Sequence, residues 1–339
     1  MKSAEILAGV RAGERRAIGR AISLVEGRGS AGRELLRELH PSTGNAIRLG
    51  VTGSPGVGKS TLIGALLGHL RRSGRTVAVV SVDPTSPFTR GAVLGDRIRL
   101  ADHFLDRGVF IRSMASRGHL GGLSEATAGA VLVLDAAVFD VVIVETVGSG
   151  QSEVEVQALT ETVALVLMPG SGDSIQALKA GLMEIPDVLV INKADRPGAD
   201  LLRSELEATM SLVPARPWEP PIVETRAHEG AGADELWAAI ERHREYLAAD
   251  GRMDERRRDG LRRQLRALAL DRLGRRLDEA CDPGFIDGLV GAVLARSLDP
   301  ESAVDSVLER SGEPRPTASD LSSRAGEPAD ERSGPGLKR

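Results

Sequence analysis

A single cysteine, Cys281, occurs among 339 residues. One thiol cannot form a disulfide within the chain, nor can it build a cysteine metal cluster. This suits a reducing compartment, and a cytoplasmic location is the expectation. Long hydrophobic runs are missing as well. No apolar stretch approaches the ~18 residues needed to cross a bilayer, and the polar, charged start does not read as a signal peptide. There is no excess of positive charge: 44 basic residues face 48 acidic ones, a net charge of −4. That speaks against nucleic acid as the main partner. Neither a membrane nor a nucleic acid is expected to be bound.

Lysine is scarce too. Only Lys2, Lys59, Lys179, Lys193 and Lys338 are lysine, and the other 39 basic residues are arginine. The two side chains are not interchangeable. A chain with this bias keeps lysine where a compact ammonium is needed. Lys2 and Lys338 sit at the chain ends and say little. Lys59 and Lys193 fall in motifs described below, and by the same logic Lys179 becomes a candidate functional residue.

What is present is a globular composition, 41% hydrophobic and 27% charged, with more length than one ordinary domain requires. The stretch Gly53-Ser54-Pro55-Gly56-Val57-Gly58-Lys59-Ser60-Thr61 fits G-x-x-x-x-G-K-[ST] at every fixed position. An apolar run over 47–51 leads in and a helix-like segment over 61–70 leads out. The glycines allow backbone N–H groups to turn inward around phosphate oxygens, and the helix N-terminus adds the positive end of its dipole. Lys59 is placed to reach the β- and γ-phosphates, and Ser60 to hold Mg²⁺.

Downstream, apolar segments alternate with helix-like ones. Strands are expected at 76–82, 109–111, 141–144, 163–168, 188–191 and 222–224. Continuous β-branched runs alternating with helices imply an α/β fold with a mostly parallel sheet covered by helices on both faces, and ligands at the carboxyl ends of the strands. Residues 1–45 read as an N-terminal helical extension, with one helix over 3–26 and a second over 31–39. Residues 46–249 form the P-loop domain, and 250–310 a C-terminal helical arm. The final 29 residues, 311–339, are rich in Ser, Pro, Gly and charge and are expected to be disordered. In the arm, Leu261, Leu265, Leu268, Leu273 and Leu277 keep helical spacing beyond a complete domain, which suggests a homodimer.

The polar motifs fall just after strands. Asp83, in Val82-Asp83-Pro84, can face Mg²⁺ or the attacking water, or cap a turn. Asp96 is a second Mg²⁺ candidate or a helix cap, and the polar loop 85–96 before it is a candidate switch. His119 reads as a loop histidine, with no second histidine or cysteine at ligand spacing. Glu145 ends an apolar strand near the P-loop, where an acidic residue polarises the Mg²⁺ shell, and Gly148 is placed to offer its N–H to the γ-phosphate. Gly148-Ser149-Gly150-Gln151-Ser152-Glu153 is a second switch candidate. A glycine-rich turn over 169–173 leads into a helix carrying Lys179. Asn192-Lys193-Ala194-Asp195 is the N-K-x-D pattern. Its Asp carboxylate accepts from guanine N1–H and N2–H₂, a donor pair that adenine lacks. Arg226-Ala227-His228 occupies the place of a last base-contacting loop, where backbone N–H groups meet guanine O6.

Together these motifs resemble the methylmalonyl-CoA mutase-associated GTPases, the MeaB/MMAA group also known as ArgK or LAO/AO transport ATPase. The run Glu145-Thr146-Val147-Gly148-Ser149-Gly150-Gln151-Ser152-Glu153 is the most specific part, and it separates the chain from Ras-like GTPases, which place aspartate there. The resemblance implies hydrolysis of GTP to GDP and phosphate, with GTP/GDP and Mg²⁺ as cofactors. Lys59, Asp83 and Glu145 carry catalysis, and Ser60, Asp83, Asp96 and Glu145 form or support the metal site. Gln151, Asp173 and Lys179 belong to switch segments, and Asn192 and Asp195 read guanine. It also implies a homodimer that serves an adenosylcobalamin-dependent acyl-CoA mutase, gating cobalamin loading and protecting the mutase. Arg90 departs from the glycine expected in the first switch loop. A nickel-insertion GTPase of the HypB/UreG type shares the P-loop but carries Cys/His metal sites, which a lone cysteine and six dispersed histidines do not provide. A transport-linked kinase is opposed by the guanine tetrad.

Overall fold

The computed structural model describes residues 3–83, 100, 103–115, 125–146, 156–170, 186–212 and 216–312. The loops holding Arg90, Asp96, His119, Gly148, Gln151, Asp173 and Lys179 lie outside them, as do the side chain of Asp83 and residues 313–339. Two compact units are present, Met1–Arg266 and Ala267–Arg339.

The first unit is built on seven strands: β1 (Ile47–Thr52), β2 (Val77–Asp83), β3 (Val109–Ala115), β4 (Val141–Thr146), β5 (Thr162–Leu167), β6 (Val188–Asn192) and β7 (Ile222–Thr225). They pair in the order β3-β2-β4-β1-β5-β6-β7, and every pairing is parallel. Alternation along each strand divides the core. Ala78, Val80, Val142 and Val144 pack with helices α1 (Ser3–Arg11), α2 (Arg15–Glu26), α3 (Ser30–Leu39) and α5 (Glu125–Ala136) on one face. Val77, Val79, Val141 and Ile143 pack with α4 (Lys59–Arg72) and α7 (Ala233–Ala248) on the other. Helix α6 (Ala199–Ser211) covers β5 and β6 through Leu202 and Leu206. Because both faces are covered, the central strands β4, β5 and β6 carry near-continuous apolar runs.

The N-terminal extension differs from the single helix expected over 3–26. Gly13, at φ 72°, takes the left-handed conformation that ends α1. Its N–H donates to Val10 O at 3.0 Å and that of Glu14 to Gly9 O at 2.8 Å. This is the two-bond Schellman closure, and the chain then starts again as α2. The apolar faces of both helices are buried, including Ile6, Val10, Ile18 and Ile22. The extension is thereby part of the main core. Its exit into β1 is fixed by Asp135 of α5, whose buried carboxylate accepts from the N–H groups of Gly44, Asn45 and Ala46 at 2.8–3.1 Å.

At the amino ends of β5 and β6, opposite the strand ends that carry the motifs, lies a buried polar cluster. Asp187 Oδ2 accepts from Val163 N and from Arg256 Nη2, each at 2.8 Å. His243 Nε2 is 3.4 Å from Asp187 Oδ1, and His243 Nδ1 is 2.9 Å from the Thr162 hydroxyl. Trp218 donates to Asp187 O at 2.8 Å, and its ring lies against those of His243 and Tyr246. Burial pushes Asp187 up to about 6, against the opposing pull of Arg256 and the Val163 amide. Burial, with Arg256 adding to it, pushes His243 down to about 3.

The two shifts oppose each other. The raised Asp187 contributes stability that is present below its ordinary value near 3.8 and lost as pH rises through about 6. The depressed His243 contributes stability that is present above 6.5 and lost as pH falls towards about 3. Between pH 4 and 6 the slopes offset. In Asp187→Asn the His243 slope stands alone, so unfolding free energy should fall on acidification more steeply than in the parent, by about 1.4 kcal/mol per pH unit. Urea titrations at pH 4.5, 5.0, 5.5 and 6.0 check this, and parallel slopes for the two proteins would refute it.

The long helix α8 (Arg252–Ala280) leaves Leu261, Leu265 and Leu273 exposed. In the second unit, Asp282 caps α9 (Pro283–Leu294) by accepting from Phe285 N at 3.1 Å, and Asp299 caps α10 (Pro300–Arg310) through Ser302 N at 3.1 Å. Each is an Asp-Pro pair, acceptor at the cap and proline in the first turn. Arg310 ties the hairpin together. It bonds Ala280 O at 2.9 Å and Asp282 Oδ2 at 3.0 Å, and lies over the Phe285 ring. Cys281 is buried here, its thiol 3.9 Å from Val307 O. Neither α9 nor α10 has a buried residue, and Ile286, Val290, Leu294 and Val304 are exposed. Among the described residues, no helix is long and apolar enough to cross a membrane.

Candidate nucleotide-binding site

The motif loops converge at the carboxyl ends of the central strands, where parallel α/β sheets bind ligands. The loop after β1 turns at Gly53, Gly56 and Gly58, with φ of 142°, 83° and 97°. A Cβ at Gly53 would lie 2.2 Å from Val166 O on β5, and one at Gly58 would lie 2.4 Å from Asn192 Nδ2. Both positions therefore require glycine on two counts, backbone conformation and close approach. Gly58 precedes α4, so Lys59 and Ser60 occupy its first turn. Lys59 is buried, and its Nζ donates to Gly53 O at 2.6 Å and Ser54 O at 3.0 Å. The ammonium is thus held across its own loop beside a helix N-terminus, and both charges favour an anion.

Glu145 is buried at the end of β4. Its Oε1 accepts from the Ser60 hydroxyl at 2.7 Å and its Oε2 from the Ser81 hydroxyl at 2.8 Å. Serine has one hydrogen to donate and two lone pairs, so Ser60 can hold a metal while still donating to Glu145. One residue on, Thr146 donates to Thr52 at 2.8 Å, joining the root of the P-loop to the end of β4. Asp83 lies at the end of β2. Among the described residues there is no group of three His, Cys, Asp or Glu placed to hold a metal ion. The hard oxygen pair of Ser60 and Glu145 fits Mg²⁺, which takes one or two protein oxygens and completes its shell with phosphate and water.

Asn192, at the end of β6, is almost wholly buried. Its Nδ2 donates to Val57 O at 2.8 Å, and its Oδ1 accepts from Thr225 Oγ1 at 3.0 Å and Ala227 N at 3.2 Å. The sequence reading set Asn192 to recognise guanine; its amide here ties the P-loop to the last loop. Lys193, in the left-handed conformation at φ 57°, extends its Nζ to Gly56 O at 2.7 Å. Partial burial, and then the nearby Arg196, hold its ammonium below the usual lysine range, opposed by Asp195. Asp195 is exposed and lines a cavity of about 330 Å³ with Gly58, Thr61, Lys193, Ala227 and His228.

The last loop departs from expectation in part. Arg226 N donates to Ala231 O at 3.0 Å and its guanidinium turns to Glu229, while Ala227 N serves Asn192. Two of the three N–H groups expected to face guanine O6 are thus used inside the protein. The motifs assign no role to Ser81, Thr52 or Thr225, and include Thr146 only within the run from Glu145 to Glu153. All four are buried polar residues near the carboxyl ends of their strands, and a hydroxyl side chain at that place is the signal that marks them.

Comparison with known proteins identifies the family. Residues 18–282 match the family described as methylmalonyl-CoA mutase-associated GTPase MeaB. A Pyrococcus abyssi protein that carries a GTPase name is 46% identical over 305 residues, covering 89% of this chain and 94% of that one. The GTPase ArgK of Escherichia coli is 40% identical over 283 residues, covering 80% and 86%. A crystal structure of a LAO/AO transport system kinase superposes with a TM-score of 0.65 at 32% identity, covering 91% of this chain and 96% of the other. With its P-loop, its buried Ser60–Glu145 pair and the N-K-x-D tetrad tied back to the P-loop, the chain belongs to the methylmalonyl-CoA mutase-associated GTPase family.

Proposed function

We propose that the protein hydrolyses GTP to GDP and phosphate as a switch for an adenosylcobalamin-dependent acyl-CoA mutase, gating cobalamin loading and protecting the mutase. The observation that carries the GTPase part is the direct bond from Asn192 to Val57, which joins the Asp195 cavity to the phosphate loop. Residues 53–61 bind the phosphates through backbone N–H groups, with Lys59 at the β- and γ-phosphates. Ser60, Asp83, Asp96 and Glu145 hold Mg²⁺ directly or through water. When bound, Mg²⁺ would neutralise charge on the phosphate oxygens. Gly148 lends its N–H to the γ-phosphate, and Gln151, Asp173 and Lys179 report its presence to the partner. Asp195 accepts from guanine N1–H and N2–H₂, and the stem of Lys193 lies along the base. With the amides of Arg226 and Ala227 already engaged, O6 recognition falls to His228 N–H in the first turn of the short 3₁₀ helix Ala227–Glu229.

The mutase role rests on the family match. The exposed leucines of α8 and the unburied α9 and α10 support a homodimer formed through the C-terminal arm. A cytoplasmic site of action accords with the lone, unpaired cysteine. The experiment is GTP turnover with and without each of three purified mutases, acting on methylmalonyl-CoA, isobutyryl-CoA or ethylmalonyl-CoA. One of them should accelerate phosphate release by an order of magnitude or more and should be retained differently in the GDP and GTP states. Unchanged turnover and no retention with all three would remove the mutase from the proposal and leave the GTPase.

A further inference from the structure

We propose that Ser81 is a positioning residue for the metal site, fixing the Glu145 carboxylate so that its other oxygen faces Ser60. This rests on the GTPase reading above and extends it to a residue outside the nucleotide motifs. A glutamate at this strand end has one more rotatable bond than an aspartate, so its carboxylate needs an additional restraint to stay in one place. The sheet supplies it. In the parallel register Glu145 is paired with Ser81 of β2 on one side and Val51 of β1 on the other. Valine has no donor to offer. The Ser81 hydroxyl, 1% exposed, donates to Oε2 at 2.8 Å, and Oε1 is then left for Ser60 at 2.7 Å.

The hydroxyl is itself held in place. Ser81 lies inside a strand paired on both sides, with β3 and β4, so its backbone cannot shift without breaking two ladders. One donor fixed by the sheet and one by the first turn of α4 hold the carboxylate between them. Partners that orient a group in a metal shell in this way typically influence metal affinity ~10–100-fold.

The test uses release of a fluorescent GDP analogue from the full chain, followed as a function of Mg²⁺ concentration. Ser81→Ala should raise the Mg²⁺ concentration that half-maximally slows release by roughly tenfold or more, with GDP affinity in excess chelator unchanged. Ser81→Thr, which restores a hydroxyl, should return the Mg²⁺ dependence towards that of the parent. In a Glu145→Gln background, Ser81→Ala should add nothing further, because the group it positions is already altered. A parent-like Mg²⁺ dependence in Ser81→Ala, or an equal added loss in the Glu145→Gln background, would overturn the proposal. A general loss of structure would instead weaken GDP binding in chelator as well, which also counts against it. If the parent protein binds no guanine nucleotide, it is the GTPase reading that fails.

Discussion

Lys59→Ala should abolish GTP hydrolysis, lowering single-turnover phosphate release by at least ~10²–10³-fold. The ammonium is the compact positive charge at the centre of the phosphate loop, buried and held by Gly53 O and Ser54 O. Phosphoryl transfer needs positioning and charge stabilisation more than covalent help from the protein. Removing the charge therefore removes most of what the site contributes. Lys59→Arg should not rescue, because a planar guanidinium does not fit the space of an ammonium enclosed by its own loop. The fold should survive, since Lys59 lies in the first turn of α4 and the core face of that helix is carried by Leu62, Ile63, Leu66 and Leu67. Turnover at the parent rate in Lys59→Ala would sink the GTPase assignment.

Asp195→Asn should cost roughly a hundredfold or more in GTP affinity, about 3 kcal/mol, and move preference to XTP. A carboxylate accepts two hydrogen bonds from the guanine edge, each worth ~1.5–3 kcal/mol when one partner is charged. The exposure of Asp195 places the loss at the lower end of that sum. Asparagine keeps one acceptor for N1–H and turns a donor towards position 2. There xanthine presents an oxygen and guanine an amino group. Competition binding of GTP, XTP and ATP reads the change directly. An unaltered base order would place the guanine site elsewhere. The equivalent change at Asn192 would be a poor test of base recognition, because its amide joins Val57, Thr225 and Ala227, so its loss would loosen the whole site.

These two residues also show what a short motif can and cannot carry. Lys59 and Asp195 lie in short motifs whose spacing is set by covalent geometry. Within a few residues of a glycine-rich turn or a strand end, the backbone has few places to go. The scarcity of lysine in an arginine-rich chain added independent weight to Lys59 and Lys193. Both are found in the site, on carbonyls of the same loop. The tertiary contacts of the same motifs were not visible. Asn192 meets Val57 135 residues earlier, and Ser81 meets Glu145 64 residues later. Those meetings depend on which strands become neighbours.

The sequence by itself determined the class of the protein. Apolar runs of strand length alternating with helices required a parallel sheet covered on both faces, and the motifs at strand ends marked the chain as one of a GTPase family. Local rules sufficed because steric limits and periodicity act over a few residues. One local rule went unused: Gly13 breaks the N-terminal helix in two, as a left-handed glycine with its two closing bonds does. Only the tertiary structure decided the order β3-β2-β4-β1-β5-β6-β7. That order puts Ser81 beside Glu145, seats β5 close enough to demand glycine at position 53, and turns Asn192 into a tether. The physical reason is that strand order is chosen by how whole faces pack and bury their area. That quantity is a sum over the chain, which no single stretch of it carries.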